Sequence, residues 1–111
     1  LDLGTAARRI THVIVTSCTG MYAPGLDLDL VEQCGLDSSV ERTMVGFMGC
    51  YAAINGLKLA HHIVRSRPEA RVLVVNLELC SLHMQETTDL ETMLSFLLFL
   101  AERKFWLNVM E

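Results

Sequence analysis

The segment Gly46-Phe47-Met48-Gly49-Cys50 decides how this chain of 111 residues is interpreted. It follows a short apolar stretch and leads into Tyr51 to Arg65, a segment with helical patterning. The glycine before Cys50 allows a tight turn from strand to helix. A cysteine at a helix start meets unpaired backbone N–H groups and the positive end of the helix dipole, which favour the nucleophilic thiolate. The segment therefore indicates acyl transfer through sulfur; the alternative is a buried cysteine that packs as a small hydrophobe.

Strand and helix patterns alternate on both sides of this segment. His12 to Thr16 and Val72 to Val75 are rich in β-branched residues, which is typical of strands covered on both faces of a parallel sheet. Arg42 to Phe47 is a weaker strand that leads to Cys50. The alternation predicts an α/β fold, with a mostly parallel sheet, covering helices and right-handed crossovers.

Three helices are predicted. Asp27 is a candidate N-cap of a short helix that Gly35 ends. Pro68 stops the helix that follows Cys50. The apolar stripe predicted for that second helix consists of Ala53, Leu57, Ala60 and Val64. Thr88-x-x-Glu91 is a candidate capping box for a last helix that runs through Leu94 and Leu98.

Composition narrows the class of protein. With 51% hydrophobic and 20% charged residues, the chain is globular, and its net charge of -4 gives no basic footprint for nucleic acid. No apolar run is long enough to cross a membrane. The four cysteines form no CxxC pair, so neither a zinc site nor any other metal site is expected, and the thiols are expected to be reduced. Three strands and an almost wholly apolar last helix indicate an incomplete domain of a larger protein.

Three ordered segments resemble one enzyme family. They are Thr16-Ser17-Cys18-Thr19-Gly20-Met21-Tyr22-Ala23-Pro24-Gly25, Gly46-Phe47-Met48-Gly49-Cys50 and Glu78-Leu79-Cys80-Ser81-Leu82-His83. Their order and spacing resemble the type III polyketide synthases, the chalcone and stilbene synthase family, and the bacterial members most. The resemblance covers Arg9 to Phe99. It implies a partial thiolase-like layered fold, with a partial N-terminal domain over residues 1–99 and a divergent tail over residues 100–111 that is helical or frayed.

The resemblance also implies chemistry. Cys50 aligns with the nucleophile that holds the starter and the growing polyketide as a thioester, in a cytoplasmic homodimer that condenses malonyl-CoA onto an acyl-CoA starter without a cofactor. The other positions that it implies line the cavity (Cys18, Thr19, Cys80, His83), reach across the dimer (Ala23) or gate the site (Phe99). For Cys18 and Cys80 the alternative is ordinary packing in the core. For His83 the alternative is a polar residue at the end of the sheet whose hydrogen bonds are all made within the protein. Glu78 is expected near the cavity or as a paired buried carboxylate.

The chain departs from the family pattern after Phe99. Nothing in Leu100 to Glu111 resembles the family, and no motif supplies the histidine and asparagine that activate the cysteine and bind the oxyanion, or the basic residues that hold the CoA phosphates. The chain is therefore expected to be a fragment that folds poorly alone and makes no polyketide. The alternatives are a β-ketoacyl-carrier-protein synthase type of condensing enzyme, and a non-catalytic remnant or interaction protein that pairs with an intact synthase.

Overall fold

The computed structural model describes residues 4–49, 51–79, 89–94 and 106–110. After a 3₁₀ helix at Gly4–Arg9, the elements are β1 (His12–Thr16), α1 (Leu26–Gln33), β2 (Glu41–Val45), α2 (Ala52–Ser66), β3 (Val72–Asn76) and β4 (Trp106–Met110). Residues 90–94 are helical. None of the helices in these ranges combines the length and the apolar composition that crossing a bilayer requires.

The four strands form one sheet in the order β2-β1-β3-β4. Strand β1 is parallel to both of its neighbours, and His12 is in register with Glu41 on one side and with Val72 on the other. Strand β4 runs antiparallel to β3, with Trp106 opposite Asn76. The predicted α/β architecture with a mostly parallel sheet is confirmed.

Alternate residues of β1 contribute to two cores. Val13 and Val15 pack in the core that contains Val31 of α1, whereas Ile14 packs in the core that contains Ala60 of α2. All five positions of β1 and of β3 are buried, as expected for strands covered on both faces. The chain passes from β1 to β2 on one side and then crosses to β3 on the other. Right-handed crossovers in opposite directions place α1 and α2 on opposite faces of the sheet.

The buried face of α2 differs from the predicted stripe. Ala52, Gly56 and Ala60 are the buried residues, and Leu57 is 37% exposed. Ala60 alone belongs to both sets. Val64 of the predicted stripe also packs against the core that contains Ala60. The difference arises because α2 lies closest to the sheet at Gly56, where a side chain would clash with Thr16 Cγ2.

The start of α1 also differs from the prediction, whereas its end agrees. Gly25 is the N-cap residue and no side chain caps the helix, because Asp27 lies inside it and its carboxylate is used elsewhere. Asp27 is buried and accepts a hydrogen bond of 2.8 Å from the Arg42 guanidinium of β2. Gly35 has φ +64, and Leu36 N–H donates to the Val31 carbonyl at 2.9 Å. This left-handed glycine ends the helix as predicted.

The helix at residues 90–94 is capped one position later than predicted. The backbone N–H and the hydroxyl of Thr92 donate to Asp89 Oδ2 at 2.9 and 2.7 Å. These bonds make Asp89 the capping residue and hold the pKa of its carboxyl below the usual value. Thr88 and Leu98 lie outside the described residues.

The expectation of a helical or frayed tail is wrong for its last part, because Trp106–Met110 forms β4. Tryptophan and valine fit strands well, and the sequence Trp-Leu-Asn-Val-Met contains both. The partner strand β3 would otherwise present a row of unpaired backbone groups at the edge of the sheet. Pairing with this edge explains why a segment without family resemblance becomes a strand.

Candidate functional site

The candidate site lies at the carboxyl edge of the parallel strands. The loops that follow β1, β2 and β3 all leave the sheet there. Ser17 N–H donates to the Val45 carbonyl at 3.1 Å, and Leu77 N–H donates to the Thr16 carbonyl at 3.0 Å, so the parallel pairing continues past the strand ends. Ligand sites of open α/β sheets lie at this edge, where the strand order reverses. The strand order of this sheet reverses at β1, because the chain continues from β1 to β2 on one side and then crosses to β3 on the other side.

Glu78 joins the loop after β3 to the loop after β1. Its Oε1 and Oε2 atoms accept the Cys18 N–H at 2.9 and 3.2 Å, and Oε2 also accepts the Thr19 hydroxyl at 2.9 Å. The Thr19 Oγ1 atom in turn accepts the Leu79 N–H at 2.6 Å. These bonds close a ring between two loops that are 60 residues apart in sequence. We call Cys18, Thr19, Gly49 and Glu78 the carboxyl-edge cluster.

The Cys18 thiol connects this cluster to the loop after β2. Gly49 N–H donates to Cys18 Sγ at 3.0 Å, and the Cys18 side chain is half-buried. Gly49 has φ +69, a left-handed conformation that glycine adopts without strain. Cys50 follows Gly49 in the sequence but lies outside the described residues, and α2 begins at Ala52. The cluster therefore anchors the segment that leads to the predicted nucleophile.

The loop after β1 is tightened by a second bond. Gly20 N–H donates to the Ser17 hydroxyl oxygen at 3.0 Å, and Ser17 is fully buried. The bond folds residues 17–20 into a short turn, so Cys18 and Thr19 face Glu78 together. A small polar residue followed three positions later by glycine is a turn signal that is visible in the sequence.

Ala23 does not belong to the carboxyl-edge cluster. It lies on an exposed arm that leads to α1, and its peptide bond to Pro24 is cis. Tyr22, the preceding residue, donates its hydroxyl to the Asp29 carboxylate of α1, and this bond raises the pKa of Tyr22. Ala23 is exposed. Its contact across a dimer, which the family resemblance implies, stays a prediction.

The structure thus brings together two of the predicted site residues, Cys18 and Thr19. Four others, Cys50, Cys80, His83 and Phe99, lie outside the described residues. Among the residues that are described, no group of three or more histidine, cysteine, aspartate or glutamate side chains could hold a metal ion.

Sequence reasoning assigned Glu78 no definite role, and it missed Gly49 as a hydrogen-bond donor. For Glu78, the position directly after the buried strand β3 was a usable signal, because strand ends meet at one edge of a parallel sheet. The carboxylate is half-buried and is bound by N–H and O–H groups. The donor at Gly49 had no sequence signal, because its partner Cys18 lies 31 residues away.

Comparison with known proteins gives the same family as the motif pattern. Residues 2–97 match the family model described as chalcone and stilbene synthases, N-terminal domain. The alpha-pyrone synthesis polyketide synthase-like Pks18 of Mycobacterium tuberculosis is 39% identical over 93 residues, which are 84% of this chain and 24% of that protein.

Two solved structures show the same fold. The C-terminal type III polyketide synthase domain of Steely1, a type I/III hybrid from Dictyostelium, superposes with a TM-score of 0.75 and 33% identity over 85% of this chain and 26% of that one. CsyB complexed with CoA-SH gives a TM-score of 0.62 and 30% identity over 65% of this chain and 20% of CsyB.

The chain spans about a quarter of the length of Pks18 and of the Steely1 domain. Its α/β layers therefore correspond to part of the thiolase-like fold of these enzymes. The match favours the polyketide synthases over the β-ketoacyl-carrier-protein synthases that the motifs left as an alternative. Since the family model covers most of its residues, the chain belongs to the chalcone and stilbene synthases, the type III polyketide synthases.

Proposed function

We propose that this chain carries the acyl-accepting cysteine of a type III polyketide synthase and that this cysteine is Cys50. The observation that carries the proposal is the family match over residues 2–97, which includes the Gly-Cys segment. The start of α2 at Ala52, two residues after Cys50, gives further support, since a helix N-terminus favours a thiolate. The carboxyl-edge cluster supports it as well, because it anchors Gly49 immediately before the cysteine.

The proposed chemistry is thioester exchange followed by condensation. The Cys50 thiolate attacks the carbonyl of an acyl-CoA, the carbon–sulfur bond to CoA breaks, and CoA leaves as a thiol after it takes up a proton. Decarboxylation of malonyl-CoA then supplies a carbanion that attacks the Cys50 thioester and releases the thiolate. The related CsyB has been solved with CoA-SH, which supports a CoA thioester as the substrate. The proposal includes the homodimer and the cytoplasmic location that the family resemblance implies.

The isolated chain is proposed to accept an acyl group slowly and to release no polyketide. No motif of this sequence supplies the histidine and the asparagine that its family uses to activate the cysteine and to bind the oxyanion. The loss of one oxyanion donor alone costs about 2.7–4 kcal/mol of barrier height. Residues Cys18 and Thr19 remain proposed cavity-lining positions, together with Cys80, His83 and Phe99, and Ala23 a proposed dimer contact.

Peptide-level mass spectrometry tests the proposal. We expect iodoacetamide to modify Cys50 faster than Cys18, Cys34 or Cys80, and we expect incubation with an acyl-CoA to add one acyl group at Cys50. The Cys50→Ala variant is the control and should lose the acyl adduct. Equal alkylation rates at all four cysteines would contradict the role of Cys50. Polyketide release by this chain that disappears in Cys50→Ala would contradict its proposed inactivity.

A second candidate function is non-catalytic pairing with an intact synthase. The observation in its favour is the set of large apolar side chains that the described residues leave exposed, of which Phe47 at 84% is the most exposed. Co-expression with a full-length homologue and purification through a tag on this chain distinguish the two functions. Recovery of a stable complex by Cys50→Ala as well would favour pairing, because pairing needs no nucleophile.

A further inference from the structure

Gly56 lies at the closest approach between α2 and the sheet. A Cβ atom at this position would stand 2.8 Å from Thr16 Cγ2, which is too close for two carbon atoms. The next nearest atoms, Val74 Cγ1 at 3.5 Å and Ile14 Cγ2 at 3.7 Å, are at ordinary contact distance. The Thr16 methyl group of β1 therefore leaves no room for a side chain at position 56 of α2. Glycine in a helix interior lowers helix stability relative to alanine, so the close approach has a cost in helix propensity.

The direction of this methyl group is fixed by a buried hydrogen bond. Thr16 Oγ1 donates to Asn76 Oδ1 at 2.6 Å, and the two residues are register partners at the ends of β1 and β3. Both are buried, so water does not compete for the bond. With its hydroxyl held by Asn76, the Thr16 side chain directs Cγ2 towards Gly56. The pair forms the layer beneath the carboxyl-edge cluster, because Leu77 N–H donates to the Thr16 carbonyl directly before Glu78.

We infer that Gly56 is a positioning residue for the candidate nucleophile. It acts through its contact with Thr16, whose side chain sets the distance between α2 and the sheet. The contact fixes how deeply α2 lies on the sheet, and the first residue of α2 is one turn before Gly56. Cys50 precedes that first residue by two positions. A displacement of α2 moves its N-terminus away from Gly49 and Cys18, which are held by the sheet-edge loops. The inference rests on the proposed role of Cys50.

The test compares Gly56→Ala with the double variant Thr16→Ser/Gly56→Ala. Alanine at position 56 must push α2 outward. Serine at position 16 keeps the hydroxyl for Asn76 and removes Cγ2, so the new methyl group then meets only the atoms at 3.5 and 3.7 Å. The single variant Thr16→Ser is the control for the loss of the methyl group alone. The readout is the rate of iodoacetamide alkylation of Cys50 divided by that of Cys34, in the 111-residue chain with trimethylamine N-oxide, an osmolyte that favours folded states.

We expect Gly56→Ala to lower the ratio by about two- to five-fold, the range given by the loss of a charge interaction at a helix N-terminus. Thr16→Ser should stay near the original ratio, and the double variant should return to it. The two rates are also compared separately: the inference requires the Cys50 rate to fall while the Cys34 rate stays constant. A purely structural role would instead raise the rate at half-buried Cys34 through unfolding. An unchanged ratio in Gly56→Ala, or no recovery in the double variant, would overturn the inference alone. Failure of Cys50 to react faster than Cys34 in the unmodified chain would overturn the proposed function and the inference together.

Discussion

At the scale of single residues, Glu78 matters most for the geometry of the candidate site. Its carboxylate accepts hydrogen bonds from the backbone of Cys18 and from the hydroxyl of Thr19, so one side chain holds two loops. Bonds to an ionised acceptor are stronger than bonds between neutral groups. The half-buried position of Glu78 limits competition from water. The conformation of the loop after β1 therefore depends on a residue that follows β3.

The variant Glu78→Gln tests this dependence. The amide keeps one oxygen as acceptor, but its NH₂ group faces donors that are already in place. We expect a loss of about 1–3 kcal/mol in the free energy of unfolding, measured by urea denaturation. Glu69→Gln removes the same charge from an exposed turn and should have almost no effect. Equal stability of the two variants would show that the Glu78 bonds do not hold the loops.

The residues of the site could be predicted from sequence only as far as local signals reach. Cys18 and Thr19 were identified through the resemblance of the loop after β1, and the structure places both against Glu78. The bond from Gly49 N–H to Cys18 Sγ joins loops of two different strands. Such a contact depends on the order of strands in the sheet, which hydrophobic patterning does not specify. The segments that form strands could therefore be predicted from the sequence, whereas the contact between the loops could not.

At the scale of secondary-structure elements, buried strands were the easiest to predict and helix faces the hardest. Two runs of β-branched residues gave β1 and β3, because burial on both faces leaves few polar residues in such strands. The buried face of α2 was predicted only in part, since the closest contact with the sheet needs the smallest residue, Gly56. Asp27 has the residue type of a helix cap and yet binds Arg42. Residue type alone does not show which of two possible partners a carboxylate takes.

The pairing of Asp27 with Arg42 holds α1 against β2, and the variant Arg42→Leu tests it. Asp27 is 8% exposed, so the loss of the guanidinium leaves a buried carboxylate without its cation. We expect a cost of about 1.5–3 kcal/mol in the free energy of unfolding, in the lower part of that range because Arg42 is partly exposed. Arg65→Leu, on the exposed side of α2, is the control for the change in charge and size. A cost for Arg42→Leu no larger than that of the control would contradict the structural role of the pair.

The opposite end of the sheet carries an ion pair with a predictable dependence on pH. Arg67, which follows α2, donates to Glu41 of β2 at 2.5 Å, and this bond holds the pKa of Glu41 below its usual value. His12 lies beside both residues. A lowered folded-state pKa means that the stabilisation is present above the unfolded pKa and is lost as pH falls through the folded one.

We therefore expect Glu41→Gln to cost stability at neutral pH and to cost less as the pH falls below 4.5, the ordinary value of the group. The effect should be small, because Glu41 and Arg67 are both exposed. Urea denaturation at a series of pH values measures it. Glu32→Gln, an exposed carboxylate of α1, is the matched control. A difference between the original chain and Glu41→Gln that grows as the pH falls would contradict the predicted sign.

At the scale of the whole molecule, the described residues cover the sheet well at its centre and leave apolar side chains exposed at its carboxyl edge. Phe47 is 84% exposed and Ile54 is 61% exposed, and both lie close in sequence to the candidate nucleophile. Phe47 also has φ +55, a conformation that asparagine adopts more readily than phenylalanine. The matched residues make up 24% of the length of Pks18, and patches of this kind mark contacts with other protein surfaces. We expect the chain to associate in solution.

The double variant Phe47→Asn/Ile54→Asn should reduce this association. It removes the two most exposed apolar side chains of the loop after β2 and of α2, and asparagine at position 47 relieves backbone strain of about 1 kcal/mol. We expect a lower weight-average mass in light scattering and weaker binding of a dye for apolar surfaces. Phe47→Leu/Ile54→Leu keeps the apolar surface and should associate like the original chain. If the asparagine variant associates as strongly as the leucine variant, the contact does not lie at the carboxyl edge. The outer side of β2, which is a terminal strand of the described sheet, then becomes the surface to test.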